Sequence, residues 1–167
     1  SQAERIQALA GMKARTSGFD MVCYADLTGK AVSETGKEME RGTREYFQQV
    51  VATKKPFMTG PSVSGTTGKL ITILARPVLD NGQLTGIVYG TVSLAFLSDM
   101  AGSFQYMTTG YVYIVDQAGL VIGYINDDTW NGRHNWASEV QERKAEGQKL
   151  LDDVCRDFPN SGACKGR

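Results

Sequence analysis

The chain has 167 residues, 41 % of them hydrophobic, and 18 Lys+Arg balance 18 Asp+Glu. That balance lacks the basic excess of a nucleic-acid-binding domain, and no run of about 18 apolar residues is present to span a bilayer. The length suits one ordinary domain, or a small domain with part of another.

No secretory leader pattern opens the chain. Residues 1–15 read as the end of a longer helix, with Ile6, Leu9, Ala10 and Met12 near helical spacing. "FDMVCYAD", the turn "LTGK" and "AVSE" read as a hairpin. Thr35 with Glu38 offers a capping box for a short helix, and Thr43 a second N-cap. "REYFQQVVAT" follows as an amphipathic helix with Tyr46, Phe47, Val50 and Val51 on one stripe and Arg44 at its border. Arg44 stands where a helix N-terminus is positive, a mildly unfavourable place for a cation unless an anion joins it.

Three strands come next: "PFMTGPSVS", broken by Gly-Pro, then "KLITILARPVL", then "LTGIVYGTVSL" after the hairpin turn "DNGQ". "AFLSDMAGSF" reads as a short helix or linker. A second hairpin, "GYVYIVDQAGLVIGYI", repeats the first in outline: apolar strand, Asp, two residues, Gly, strand. The offset of roughly ninety residues suits two related modules rather than a solenoid. A charged helix over "ASEVQERKAEGQKLLDDVC" completes the reading.

The pieces "Y-A-D-x-x-G", "R-E-Y-F", "G-P-S-V-S-G-T-T-G-K", "A-R-P-V-L-D-N-G-Q-L-T-G-I-V-Y-G-T-V-S-L" and "T-T-G-Y-V-Y-I-V-D-Q-A-G", in this order over about residues 1–126, resemble a double Cache sensor region. Such regions lie outside the membrane in bacterial chemoreceptors, sensor histidine kinases and diguanylate cyclases. The resemblance implies an α+β fold: a PAS-like antiparallel sheet packed on a long N-terminal helix, with the start of a second PAS-like module. It divides the chain into the end of the long helix (1–15), a membrane-distal module (16–104) and a partial membrane-proximal module with a C-terminal helix (105–167). It also implies a periplasmic sensor of an inner-membrane receptor, without enzymatic activity or cofactor, that binds a small molecule and pairs as a homodimer through the N-terminal helix.

Spacing alone makes Tyr46 and Phe47 core residues and leaves Arg44 solvated or paired with Glu40 or Glu45. The resemblance instead implies that Arg44 meets a ligand carboxylate and that Tyr46 and Phe47 wall the pocket. A guanidinium can do this through two parallel hydrogen bonds. The amino-acid-sensing branch of the family has a tyrosine and an aspartate just before its T-G element and another aspartate in the last strand, where this chain resembles it with Ser62, Ser64 and Thr91. Hydroxyls there leave a ligand ammonium without a countercharge, so the expected ligand is a small carboxylate or other anion. Tyr89 shares a strand face with Thr91 and is a further lining candidate, and Arg76 is a weaker one.

Cys155 and Cys164 flank the turn-rich "RDFPNSGA". Either a disulfide closes it in an oxidising compartment or both thiols are free. Cys23 lies in an apolar run and reads as a small buried hydrophobe. The lone histidine, His134, has no clustered ligands for a metal or haem. Two other readings stand beside the sensor: an intracellular PAS-like dimerisation module, and a thiol enzyme using Cys23 with His134.

Overall fold

The computed structural model describes residues 1–65, 67–104 and 110–157, except the side chains of Leu151, Val154 and Asp157. The elements are α1 (Gln2–Ala14), β1 (Met21–Asp26), β2 (Lys30–Ser33), β3 (Glu38–Glu40), α2 (Glu45–Thr53), β4 (Phe57–Met58), β5 (Ser62–Val63), β6 (Leu70–Asp80), β7 (Gln83–Ser93), α3 (Leu94–Gly102), β8 (Ile114–Val115), β9 (Val121–Gly123) and α4 (Trp136–Asp157). A short 3₁₀ turn spans Asp128–Trp130. The first seven strands form one antiparallel sheet in the order β3-β2-β1-β7-β6-β4, and β5 also pairs with β6. This is the expected α+β arrangement of an antiparallel sheet on an N-terminal helix.

Strand alternation sorts the core onto two faces. On one face Cys23, Ala25, Ala75, Ile87 and Tyr89 pack beneath Tyr46, Phe47 and Val50 of α2. On the other, Val22 and Val32 pack against Leu9 of α1, with Phe19, Tyr24 and Val88 around them. The α1 side is also clasped by charge. The Lys13 ammonium lies 2.8 Å from the nearly buried Glu34 carboxylate, which accepts a second bond from the Val22 N–H at 3.1 Å. Burial alone would raise the Glu34 pKa, but these donors outweigh it and hold the carboxyl below its ordinary value.

The two hairpins that repeat in sequence share their turn chemistry. Asp26 Oδ1 accepts from the backbone N–H of Thr28 and Lys30, and Asp116 Oδ1 accepts from those of Ala118 and Leu120. Gly29 and Gly119 follow with φ of 90° and 81°, a region L side chains rarely enter. The expected capping box at Thr35 is absent. Ser33 Oγ accepts from the N–H of Thr35 and Lys37, the chain reverses at Gly36, and Glu38 begins β3. Thr43 is not an N-cap either; Arg44 holds that position.

The "PFMTGPSVS" segment is two short strands, β4 and β5, both on β6. The second hairpin is a two-stranded sheet of β8 and β9 joined to the first by α3. Its anchor is Ser98, whose Oγ donates to the Leu94 carbonyl and accepts from the Tyr124 N–H (3.2 Å) and Asn131 Nδ2 (2.9 Å), all buried. Tyr111, Val115 and Ile125 leave apolar surface exposed on this half. Cys164 lies outside the described residues, and the Cys155–Cys164 pairing with it.

Ser98→Ala strands the buried Tyr124 N–H and removes one of the two acceptors of Asn131 Nδ2, which keeps the Tyr124 carbonyl, so it is expected to destabilise the chain by roughly 1–3 kcal/mol. Hydrogen exchange should show faster exchange at Tyr124 and in β9 than at the sheet centre. Uniform exchange across both regions would contradict this anchoring role.

Candidate functional site

The turn from Arg41 to Arg44 is fixed by the hairpin beside it. The Arg41 N–H donates to the Gly29 carbonyl at 2.8 Å, and the Arg44 N–H donates to the Arg41 carbonyl at 3.0 Å. A Cβ on Gly29 would lie 2.5 Å from the Gly42 Cα, so the two backbones approach this closely only because residue 29 is glycine. This contact sets where the two arginines leave the chain.

They open onto a cleft of about 490 Å³ between the start of α2, the β4–β5 segment and the sheet. Arg44, Tyr46, Ser62, Ser64, Tyr89 and Thr91 all line it. Arg44 is exposed and is the N-cap of α2, with no side chain capping that helix. The first N–H groups of α2 are therefore open to water or an anion. The Arg44 guanidinium has no ion pair among the described residues, so neither Glu40 nor Glu45 neutralises it. Tyr46 and Tyr89, with ring centroids 5.0 Å apart, form one wall. Burial is the main cause that raises both phenols above their ordinary value, so both stay neutral. Glu45 is the one carboxylate among the described lining residues.

Phe47 does not line this cleft. It is 6 % exposed and belongs to the core under α2, because helical spacing turns it from the cleft while Tyr46 remains at it. Arg76 lies across the sheet in a groove with Met12, Phe19 and Val88, because its position on β6 faces α1.

Sequence reasoning missed Arg41, Thr59 and the pair Ile71 and Ile73, all at the cleft. Arg41 Nε donates to Tyr89 Oη at 3.3 Å, across 48 residues of chain. The available signal was the doubled arginine of "ERGTRE", which puts two guanidiniums on one turn.

Cys23 and His134 are not brought together as a reactive pair. Cys23 is fully buried in the first sheet, and burial pushes its thiol up from 9.0 to about 11. That is opposite to what an activated nucleophile needs. His134 stacks on Trp130 at 4.2 Å, and its Nε2 lies 3.0 Å from a Glu139 carboxylate oxygen, in the other half. No group of three or more His, Cys, Asp or Glu gathers as a metal site among the described residues.

A Cache domain family model matches residues 1–160. The methyl-accepting chemotaxis protein PscA of Pseudomonas syringae pv. tomato is 20% identical over 122 residues, covering 71% of this chain and 19% of that receptor. The ligand-binding domain of the Pseudomonas fluorescens chemoreceptor CtaA, solved in complex with L-valine, superposes with TM-score 0.61 at 22% identity. It covers 76% of this chain and 60% of that one. That of the Pseudomonas aeruginosa PAO1 amino acid chemoreceptor PctC, in complex with GABA, gives TM-score 0.52 at 24% identity over 70% and 54%. At such identities the structural likeness is one of fold. The chain spans less than two thirds of each of these relatives.

Two outcomes separate packing from site. Phe47→Ala should cost about 3–5 kcal/mol in chemical denaturation, whereas Arg44→Ala should stay within about 0.5 kcal/mol of wild type. A large loss for Arg44→Ala would make it a structural residue. For Cys23, the raised folded-state pKa contributes stability that is full below pH 9.0 and is lost as pH rises through about 11. Denaturation should therefore show a pH slope shallower in Cys23→Ala by about 1.4 kcal/mol per pH unit between pH 9 and about 11, and equal slopes below pH 8. Equal slopes throughout would show that the thiol is accessible and its pKa ordinary.

Proposed function

The chain belongs to the Cache domain family, and on that premise we propose that it is the ligand-binding part of an extracytoplasmic sensor in a membrane-anchored bacterial receptor. Its ligand in this reading is a small carboxylate or similar anion seated in the Arg44 cleft. The observation that carries the reading is the unpaired Arg44 guanidinium at the uncapped start of α2, inside a cleft walled by two neutral tyrosines. One ligand carboxylate would meet the planar donor fork and the helix N-terminus together. The hydroxyls of Ser62, Ser64 and Thr91 complete a neutral, hydrogen-bonding floor.

Relatives that are chemoreceptors, two of them solved with amino-acid ligands, support a sensing role. The proposed difference from those ligands lies at the ammonium end. At Ser62, Ser64 and Thr91 there is no carboxylate to hold it, and Glu45 is exposed beside Arg44. Signalling would be a population shift: the ligand favours the arrangement in which α2 and the β4–β5 segment close on the cleft. Residues 16–104 would be the membrane-distal module, residues 105–167 part of the proximal one, and α1 the surface along which two copies pair. The buried, protonated Cys23 thiol speaks against the thiol-enzyme reading.

Titration calorimetry in carboxylate-free buffer, comparing propionate with L-alanine, tests the ligand class. Propionate should bind, L-alanine should bind at least tenfold more weakly, and Arg44→Gln should weaken propionate by tenfold or more. Tight L-alanine binding without propionate binding, or an Arg44→Gln variant that binds like wild type, would contradict the reading.

A further inference from the structure

We propose that the ligand carries two acidic groups and that Arg41 is the second anchor, which makes it a short α,ω-dicarboxylate. The inference rests on the reading above that the cleft takes a carboxylate at Arg44, and it adds the partner of a guanidinium which that reading leaves unused.

Arg41 lines the same cleft as Arg44. The backbone bond between the two residues closes a β-turn, which keeps their Cα atoms within about 7 Å. Two guanidiniums are thus presented from one rigid turn, itself held by the Gly29–Gly42 approach.

The Arg41 side chain is half-buried, and its acceptors are neutral: Tyr89 Oη from Nε at 3.3 Å, the Glu40 carbonyl from Nη1 at 3.2 Å, and Met39 Sδ from Nη2 at 2.9 Å. A guanidinium has five N–H donors, so two are uncommitted. No carboxylate pairs with Arg41 among the described residues. A half-buried cation that meets a phenol, a carbonyl and a thioether keeps an unmet electrostatic demand.

Glu45 does not meet it, being exposed and paired with neither arginine. A monocarboxylate on Arg44 leaves Arg41 as it is. A second carboxylate on the same short chain satisfies both, and the Tyr46 and Tyr89 rings offer apolar surface for the methylenes between.

The test compares chain-matched acids by calorimetry in carboxylate-free buffer: succinate against butyrate, and glutarate against valerate. One of the diacids should bind at least tenfold tighter than its monoacid. Arg41→Gln should abolish that margin while changing monoacid affinity less than threefold, Arg41→Lys should keep part of it, and Arg44→Gln should weaken both classes. The wild-type comparison decides even if an Arg41 variant folds poorly. A monoacid that binds through Arg44 as tightly as its diacid overturns this inference and leaves the sensor reading intact. Equal loss of both classes in Arg41→Gln also overturns it, since Arg41 would then only position Tyr89. Sulfate matching the diacids would replace the dicarboxylate with an inorganic dianion. Failure of every acid to bind sinks both readings.

Discussion

β1 and β7 run antiparallel through the middle of the sheet, with Cys23 opposite Tyr89 and Ala25 opposite Ile87. The period of two along each strand then sends every second side chain to α2 and the others to α1. A slip of one residue would exchange the two faces and put Tyr89 under α1, away from the arginines. The register is pinned by size as well as by hydrogen bonds. Gly90 leaves room for the Phe19 ring and Gly86 for the Tyr24 side chain, each of which would lie 2.4 Å from an added Cβ. The cleft exists because this pairing holds Tyr89 and Thr91 on the side where α2 begins.

From that sheet the site follows by local chemistry. Asp26 and Gly29 close the first hairpin, Gly29 lets Gly42 approach, and the 41–44 turn presents two guanidiniums beside an uncapped helix. Core packing and cleft lining separate along α2 residue by residue. Phe47 and Val50 give the helix its buried face, Tyr46 serves both core and cleft, and Arg44 is exposed and lines the cleft. An arginine at a helix start is unfavourable in isolation, and an anion bound between the two reverses the sign of that interaction.

Much of this was legible in the sequence because it is local. The "DNG" turn, the amphipathic "REYFQQVVAT" and the repeated Asp-x-x-Gly hairpins each carry their structure within ten residues. The five ordered pieces then led to the family. What was not legible is what depends on distant parts of the chain. Thr35 and Glu38 have the pattern of a capping box, yet pairing of Glu38–Glu40 with β2 competes and wins, helped by Ser33. Arg41 sits in a polar turn with no periodicity, and its partner Tyr89 comes from another strand. Phe47 looked like a cleft wall by analogy, whereas helix geometry turns it into the core.

In the proposed function, small carboxylates bind where Arg44 and the start of α2 meet the sheet. Amide chemical-shift mapping during a titration with propionate tests it most directly. Shifts are expected to concentrate at residues 44–46, 60–64 and 89–91, saturating together with a single binding curve. Shifts centred instead on the groove between α1 and the sheet, around Arg15 and Arg76, or no saturable shifts at all, would contradict it.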